Sequence, residues 1–296
     1  MNKNRLMMMV LAGFLLAGCS SQATEPFEVP FDEELSHVHG MGYAGNNEGI
    51  YFASHSGLKI YRDGKWLETA DNFHDYMGFS AIDKGFYTSG HPSADSDLPN
   101  PLGIQRSLDG GESLENIAFQ GETDFHVMAV GYNSHNIILL NPEKNSLLDA
   151  GFYKKDGKGG SWESVMASGL EGEVSALAIH PMDSNFVAAA TTTGSYLSKD
   201  AGESFHVVTE EDESGTAVFF NEDSLYFAGY GTAPTFKKYN LKDGRQKELA
   251  LPELKQDGIA FIAQNPKDTK ELAIFSIQGV AYLSENNAET WVKLSK

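Results

Sequence analysis

The sequence has one cysteine, few basic residues and no familiar catalytic motif, and each shortage excludes a class of protein. Among its 296 residues the single cysteine is Cys19, so neither an intrachain disulfide nor a multi-cysteine metal or redox motif can form. Lys and Arg number 22 against 41 Asp and Glu, and so acidic a chain repels nucleic acid. Gly-x-Ser-x-Gly, a phosphate-binding loop and His-Glu-x-x-His are all missing from the sequence, which leaves the common nucleophilic, nucleotide-dependent and zinc-protease reactions without support.

The only long apolar run lies at the N-terminus, between Leu6 and Ala17, and follows Lys3 and Arg5. It is short for a membrane span, and the small residues before Cys19 suit cleavage and lipidation of that thiol. We therefore predict a lipoprotein signal peptide over residues 1–18, then a lipidated (palmitate-bearing) Cys19 and a flexible tether over 19–30. This places the protein on the extracytoplasmic face of the cell membrane. The alternative is an ordinary secretory signal with an incidental cysteine.

The rest of the chain carries a repeat of about 45 residues. Six strand-ending positions mark it, with spacings of 46, 47, 44, 43 and 43: Asp63, Asp109, Asp156, Asp200, Asp243 and Asn286. Short β-branched and aromatic runs separated by Gly, Asn, Asp and Pro fill each unit, which is typical of strands. A repeat of this length with four strands per unit predicts an all-β fold, a six-bladed β-propeller with four-stranded antiparallel blades, over residues 31–296.

Three of the repeats share the pattern Ser-x-Asp-x-Gly-x-Ser/Thr-aromatic, with substitutions. They are Ser107 to Leu114, Ser198 to Phe205 and Ser284 to Trp291. In this pattern Asp109, Asp200 and Asn286 are expected to hold the turn between the two outer strands of a blade, which is a structural role. The chain thereby resembles the Asp-box (BNR) repeat proteins, which include sialidases, sortilin-type receptor domains and bacterial propellers often named glycosyl hydrolases. The resemblance covers almost the whole chain after the signal and implies the fold, but the motif lies away from the sites that such proteins use.

Six of the nine histidines fall at one end of the predicted inner strands of blades 1 to 3. The innermost strand starts, and the next one ends, on the same face of the disk, so these side chains converge on one rim: His37, His39, His55, His74, His91 and His126. Neutral imidazoles bind divalent metals and nearby carboxylates orient them, so we predict a metal site supported by Asp75 and Asp124. His135, His180 and His206 are expected to be surface residues.

The metal is predicted to be copper or zinc. Met41, Met77 and Met128 each lie within a few residues of a rim histidine, and thioether with imidazole suits copper. The alternative for these methionines is space filling near the propeller axis.

Two other functions stay open at this point. A sialidase needs a cluster of arginines, but Arg62, Arg106 and Arg245 are predicted to lie on or beside outer strands, away from the inner rim, so that activity is not expected. Another glycosidase could pair Asp75 with Asp124, or Glu171 with Glu173. The chain could instead be an interaction propeller that holds another exported protein. We expect a monomer.

Overall fold

A computed structural model describes residues 26–45 and 49–294 of the chain. Within these residues the structure contains 25 β-strands and no α-helix, and accordingly no helix there is long and apolar enough to cross a membrane. The strands form six antiparallel sheets arranged around an axis. The prediction of a six-bladed β-propeller with four-stranded blades is confirmed.

Each blade is built from strands that follow one another along the chain, and each successive strand lies farther from the axis. Blade 1 contains β1 (Glu28–Pro30), which is the exception and lies outermost, and then β2 (Val38–Gly42), β3 (Ile50–Ser54), β4 (Gly57–Arg62) and β5 (Lys65–Thr69). Blade 2 contains β6 (Asp75–Ile82), β7 (Gly85–His91), β8 (Ile104–Ser107) and β9 (Glu115–Ala118). Blade 3 contains β10 (Met128–Val130), β11 (Ile137–Asn141), β12 (Gly151–Lys155) and β13 (Glu163–Val165).

The second half of the ring repeats the same order. Blade 4 contains β14 (Val174–Ile179), β15 (Val187–Thr191), β16 (Gly194–Ser198) and β17 (His206–Val207). Blade 5 contains β18 (Ser214–Phe220), β19 (Ser224–Tyr230), β20 (Pro234–Asn240) and β21 (Gln246–Glu248). Blade 6 contains β22 (Ile259–Gln264), β23 (Leu272–Ser276), β24 (Ala281–Ser284) and β25 (Val292–Lys293).

The propeller begins earlier than the sequence indicated. β1 pairs antiparallel with β5, with Glu28 opposite Thr69, and forms a fifth, outermost strand of blade 1. Both oxygens of the Glu28 carboxylate accept hydrogen bonds from the Arg62 guanidinium, at 2.5 and 3.0 Å. The predicted tether over 19–30 therefore ends before Glu28, because this segment covers an otherwise unpaired sheet edge. Cys19 and the predicted signal peptide lie outside the described residues.

The ring closes by packing between blades 1 and 6, since no strand is shared between them. Phe52 on β3 and Phe275 on β23 belong to one buried cluster, with ring centroids 5.9 Å apart. The Trp66 indole nitrogen donates to the Leu294 carbonyl at 3.1 Å, which links the two blades at their outer edge. Buried aromatic contacts of this kind stabilise an interface beyond the area that they bury.

The three clearest repeat turns have the same hydrogen-bond network. In blade 2 the Ser113 amide donates to Asp109 Oδ1 at 3.0 Å, and Ser107 Oγ donates to the same oxygen at 2.8 Å. Asp200 in blade 4 and Asn286 in blade 6 accept the equivalent bonds from Ser198 and Ser204 and from Ser284 and Thr290. Each turn joins the third and fourth strands of its blade, at the end of the blade away from the rim histidines. Its role is structural.

Candidate functional site

The innermost strands of the six blades surround a central channel of about 570 Å³. His39 and His126 border it at one end, which we call the mouth, and Asn221 and Gln264 border it at the other end. Most of the wall between them consists of apolar side chains. The histidines thus lie where the fold leaves an open cavity, as is common for ligand sites.

A β-bulge places His39 at the mouth. The pairing of β2 with β3 passes from Val38 to Gly40, so His39 is the unpaired residue. The inner strands of blades 4, 5 and 6 show the same register shift, and their unpaired residues are Ser175, Thr216 and Ala260. A bulge bends the strand and re-aims the side chain of the extra residue. Of these four blades, blade 1 is the one in which the shared irregularity presents an imidazole.

His39, His55 and Asp75 form a compact triad at the mouth. His39 Nε2 lies 3.0 Å from His55 Nε2, and His55 Nδ1 lies 2.8 Å from Asp75 Oδ2. One ligand atom from each of the three residues lies within 4.8 Å of the others. Asp75 Oδ1 is buried and lacks a hydrogen-bond partner among the described residues, which is costly unless a cation or a further donor satisfies it.

His37 flanks this triad. Its ring centroid lies 5.1 Å from that of His55. Its φ of +49° is unusual for a residue with a side chain, and such strain is concentrated at functional sites. His37 therefore lies beside the triad and is not part of it.

Gly90 fixes the position of Asp75. Tyr76, the neighbour of Asp75, is paired with Gly90 across β6 and β7, and Asp75 itself is paired with His91. Gly90 has a φ of +117°, and a Cβ at this position would collide with the Asp75 carbonyl oxygen. Only glycine combines this φ with so close an approach of two backbones.

A second group of polar residues lies on blades 2 and 3. Asp124 Oδ2 lies 2.5 Å from His126 Nε2 and 3.4 Å from His91 Nε2. Ser89 Oγ donates to the other oxygen of Asp124 at 3.3 Å, and His91 Nδ1 lies 2.7 Å from Asn100 Oδ1. Ser89 and Asn100 were not among the predicted residues, because no local pattern marks them.

The structure places His74 behind the mouth rather than in either group. Its ring is buried, and Nδ1 accepts a hydrogen bond from the Ser93 amide at 3.0 Å. Burial lowers the pKa of His74, and the negative charges of Asp95 and Asp71 oppose that effect. His74 therefore anchors the long connection after β7 through a neutral ring.

The protonation state of His39 suits metal binding. Its pKa is lowered by burial first and by the neighbouring His55 second, while Asp75 acts in the opposite direction. A lowered pKa keeps the imidazole neutral at pH 7, and a neutral ring nitrogen is the form that binds a metal.

The distances of the triad also suit a metal. Two nitrogens bound to one tetrahedral zinc at its usual bond lengths lie about 3.4 Å apart, whereas the two Nε2 atoms are 3.0 Å apart without it. If the two Nε2 atoms moved apart by a few tenths of an ångström, both could bind the ion. Asp75 on His55 Nδ1 would then be the carboxylate that orients a ligating histidine.

The three remaining histidines were predicted to be surface residues, and one of them, His180, is not. His206 is exposed, and His135 is half-buried beside Asp83 with Nε2 2.7 Å from the carboxylate. His180 is buried, which corrects the expectation of a surface residue. Its Nε2 donates to the Glu222 carbonyl at 2.9 Å, and its Nδ1 accepts from the Asp183 amide. His180 thus satisfies backbone groups between blades 4 and 5.

Comparison with known proteins identifies the fold and no family. No protein-family model matches the chain, and no curated protein sequence does so. Among solved structures, the GH74 xyloglucanase from Xanthomonas campestris is similar with a TM-score of 0.54 and 15% identity, over 87% of this chain. This chain spans only 45% of the length of that protein.

Two further propellers show the breadth of the likeness. The oligogalacturonate lyase from Vibrio parahaemolyticus gives a TM-score of 0.54 at 12% identity, covering 89% of this chain and 78% of the lyase. The Pan2 WD40 domain from Neurospora crassa gives 0.52 at 12% identity, covering 86% of this chain and 77% of that domain. At such identities the similarity establishes a β-propeller and carries no information on activity.

Proposed function

We propose that the mouth of the channel binds a transition metal ion, zinc or copper, through His39 and His55 with Asp75 as the supporting carboxylate. The observation that carries this proposal is the triad itself, in which two imidazoles and a carboxylate present ligand atoms within 4.8 Å of one another. Both ions accept imidazole nitrogen as a ligand, and a carboxylate on the other nitrogen of a ligating ring is the usual supporting group. Water or a bound ligand would complete the coordination of the ion.

The hydrogen bonds of the two carboxylates favour metal binding over sugar hydrolysis. Asp75 is paired with His55, and Asp124 is paired with His126 and His91. A glycosidase needs one carboxylic acid to donate a proton and a second carboxylate to attack or to activate water. Carboxylates beside imidazoles are instead typical of the groups that orient metal ligands.

We further propose that this propeller is held at the extracytoplasmic face of the membrane by a lipid on Cys19. The argument comes from the sequence pattern before Cys19. Because the first strand begins at Glu28, the intervening residues would form a short tether. Such a protein would meet metal ions outside the cytoplasm.

Metal content of the purified full-length chain tests the metal site. We expect about one equivalent of Zn(II) or Cu(II) per chain after equilibrium dialysis, with affinity reduced about 100-fold or more by His55→Ala. The His55 side chain is exposed, so the substitution leaves the fold intact. His206→Ala, an exposed histidine on β17, is the matched control and should change nothing. A wild-type chain that binds no metal, or metal retained equally by His55→Ala, would contradict the proposal.

A further inference from the structure

A second pair of an imidazole and a carboxylate lies at the mouth beside the triad. His126 Nε2 lies 2.5 Å from Asp124 Oδ2, and the Asp124 side chain is only 13% exposed. Ser89 Oγ donates to the other carboxylate oxygen at 3.3 Å and accepts a hydrogen bond from the Phe125 amide at 2.8 Å. Among the described residues, the triad is the group that brings three ligand atoms within 4.8 Å of one another, so this pair is not a second metal centre.

The hydrogen bond to the carboxylate decides which nitrogen of His126 is basic. In a neutral imidazole one nitrogen carries the proton and the other has a free lone pair. The Asp124 carboxylate accepts hydrogen bonds, so Nε2 carries the proton and Nδ1 is left as the base. The His126 side chain is 63% exposed, and Nδ1 has no hydrogen-bond partner among the described residues. An imidazole held by a largely buried carboxylate, with its second nitrogen free, is the arrangement of a general base.

The inner strands of blades 1 to 3 bring His126 to the level of His39. A Cβ on Gly40, which follows His39, would collide with the residue that follows Gly78 in blade 2, so His39 and Gly78 are level. A Cβ on Gly78 would in turn collide with the carbonyl oxygen of Phe125, which precedes His126. Besides burial and the other imidazole of the triad, His126 also lowers the pKa of His39. The two imidazoles thus flank a glycine, and the space between them is open to a small molecule.

The channel below these groups suits an uncharged molecule. Its wall is mostly apolar and includes the buried side chains of Met41, Met77 and Met128. None of the described residues that border the channel is Lys or Arg, and Glu222 and Asp223 lie at its far end. A site of this charge repels phosphate esters and other anions. Its volume of about 570 Å³ is ordinary for a small-molecule site.

We propose that His126 is the general base of a hydrolytic site at the mouth, and that its substrates are uncharged carboxylic esters. His126 Nδ1 takes a proton from a water molecule at the mouth, and the oxygen of that water bonds to the carbonyl carbon of the ester. The bond from this carbon to the leaving oxygen then breaks, and the leaving oxygen takes the proton back from His126. The products are a carboxylic acid and an alcohol. This inference rests on the proposed function, because the ion at the triad would hold and polarise the water.

Removal of the base tests the inference. The Zn(II)-loaded full-length chain should hydrolyse p-nitrophenyl butyrate, and His126→Ala should lower kcat about 100-fold while KM and Zn(II) affinity stay unchanged. The phosphate monoester p-nitrophenyl phosphate should not be hydrolysed by either chain, because the channel repels anions. The matched control is His206→Ala, an exposed histidine on β17, which should keep the wild-type kcat.

Asp124→Asn tests the orientation of the base without a change of shape. Ser89 Oγ donates to one side of this group, so the asparagine should turn its oxygen toward Ser89 and its NH₂ toward His126. The NH₂ group donates, so the ring must accept at Nε2 and carry its proton on Nδ1, where the base is needed. We therefore expect kcat to fall about as far as in His126→Ala, with Zn(II) still bound.

The outcomes separate this inference from the proposed function. Unchanged kcat in His126→Ala, or a Zn(II)-loaded wild-type chain that hydrolyses the ester no faster than the metal-free chain, would overturn the general base and leave the triad standing. Loss of Zn(II) binding by His126→Ala would also overturn it, because His126 would then belong to the metal site. A wild-type chain that binds no Zn(II) would contradict the proposed function and this inference together.

Discussion

Blades 1 to 3 and blades 4 to 6 have the same sheet architecture and different chemistry at the channel. The bulge that exposes His39 in blade 1 exposes Ser175, Thr216 and Ala260 in blades 4, 5 and 6. Blades 4 to 6 contain two histidines, His180 and His206, and neither of them occupies a bulge position. The fold therefore supplies equivalent positions in both halves, and side chains in one half alone make them a candidate metal site.

The largest expected effect comes from giving blade 1 the residue of blade 4. His39→Ser should reduce Zn(II) affinity about 100-fold or more, because a ligand is removed and His55 alone remains with Asp75. Competition with a zinc chelator measures the loss. The reciprocal variant Ser175→His should gain no site: Val174 pairs with Thr191 as Val38 pairs with Ser54, so Thr192 stands in the place of His55 and supplies no imidazole. Tight Zn(II) binding by His39→Ser would remove the distinction between the two halves.

A smaller effect is expected at Gly90, which supports Asp75 in the first half. Gly90→Ala should lower the free energy of unfolding by about 2 kcal/mol, because the added Cβ meets the Asp75 carbonyl oxygen at a φ that disfavours alanine. Gly160 has a φ of +118°, and a Cβ there would meet no other atom within 4 Å. Gly160→Ala is thus the matched control for the φ alone, and should cost about 1 kcal/mol. Chemical denaturation measures both, and equal costs would show that the contact with Asp75 does not matter.

The smallest effect concerns the turns that both halves share. Hydrogen bonds from the Ser204 side chain and amide, and then from Ser198, lower the pKa of Asp200 to about 2. The folded pKa lies below the unfolded value of about 3.9, so this carboxylate contributes stability above about pH 4 that is lost as the pH falls toward about 2. Asn286 holds the equivalent turn and has no carboxylate to titrate.

Exchange of the two residues tests this pH dependence. Asp200→Asn should reduce the loss of stability between about pH 4 and about pH 3, and Asn286→Asp should increase it. Urea unfolding midpoints at about pH 7, 4 and 3 measure the change in each variant. Identical acid profiles for wild type and both variants would contradict the assigned role of the Asp200 carboxylate.

The sequence by itself determined the propeller, its six blades and the end of the blades at which His39, His55, His91 and His126 lie. It could do so because the turn residues from Asp63 to Asn286 recur with a nearly constant spacing, and a blade is a local unit of consecutive strands. The repeat turns at Asp109, Asp200 and Asn286 were likewise predictable, since their hydrogen bonds span only a few residues.

Only the tertiary structure decided which of these side chains meet. In the fold, His39 and His55 lie beside Asp75, and His91 and His126 both contact Asp124. His74 is buried and belongs to neither group. The tertiary structure also added β1 to blade 1. Such details depend on bulges, on contacts between blades and on the packing of individual rings, and a repeat spacing contains none of them. Spacing locates a strand along the chain, whereas the direction of each side chain is set by the neighbours against which it packs.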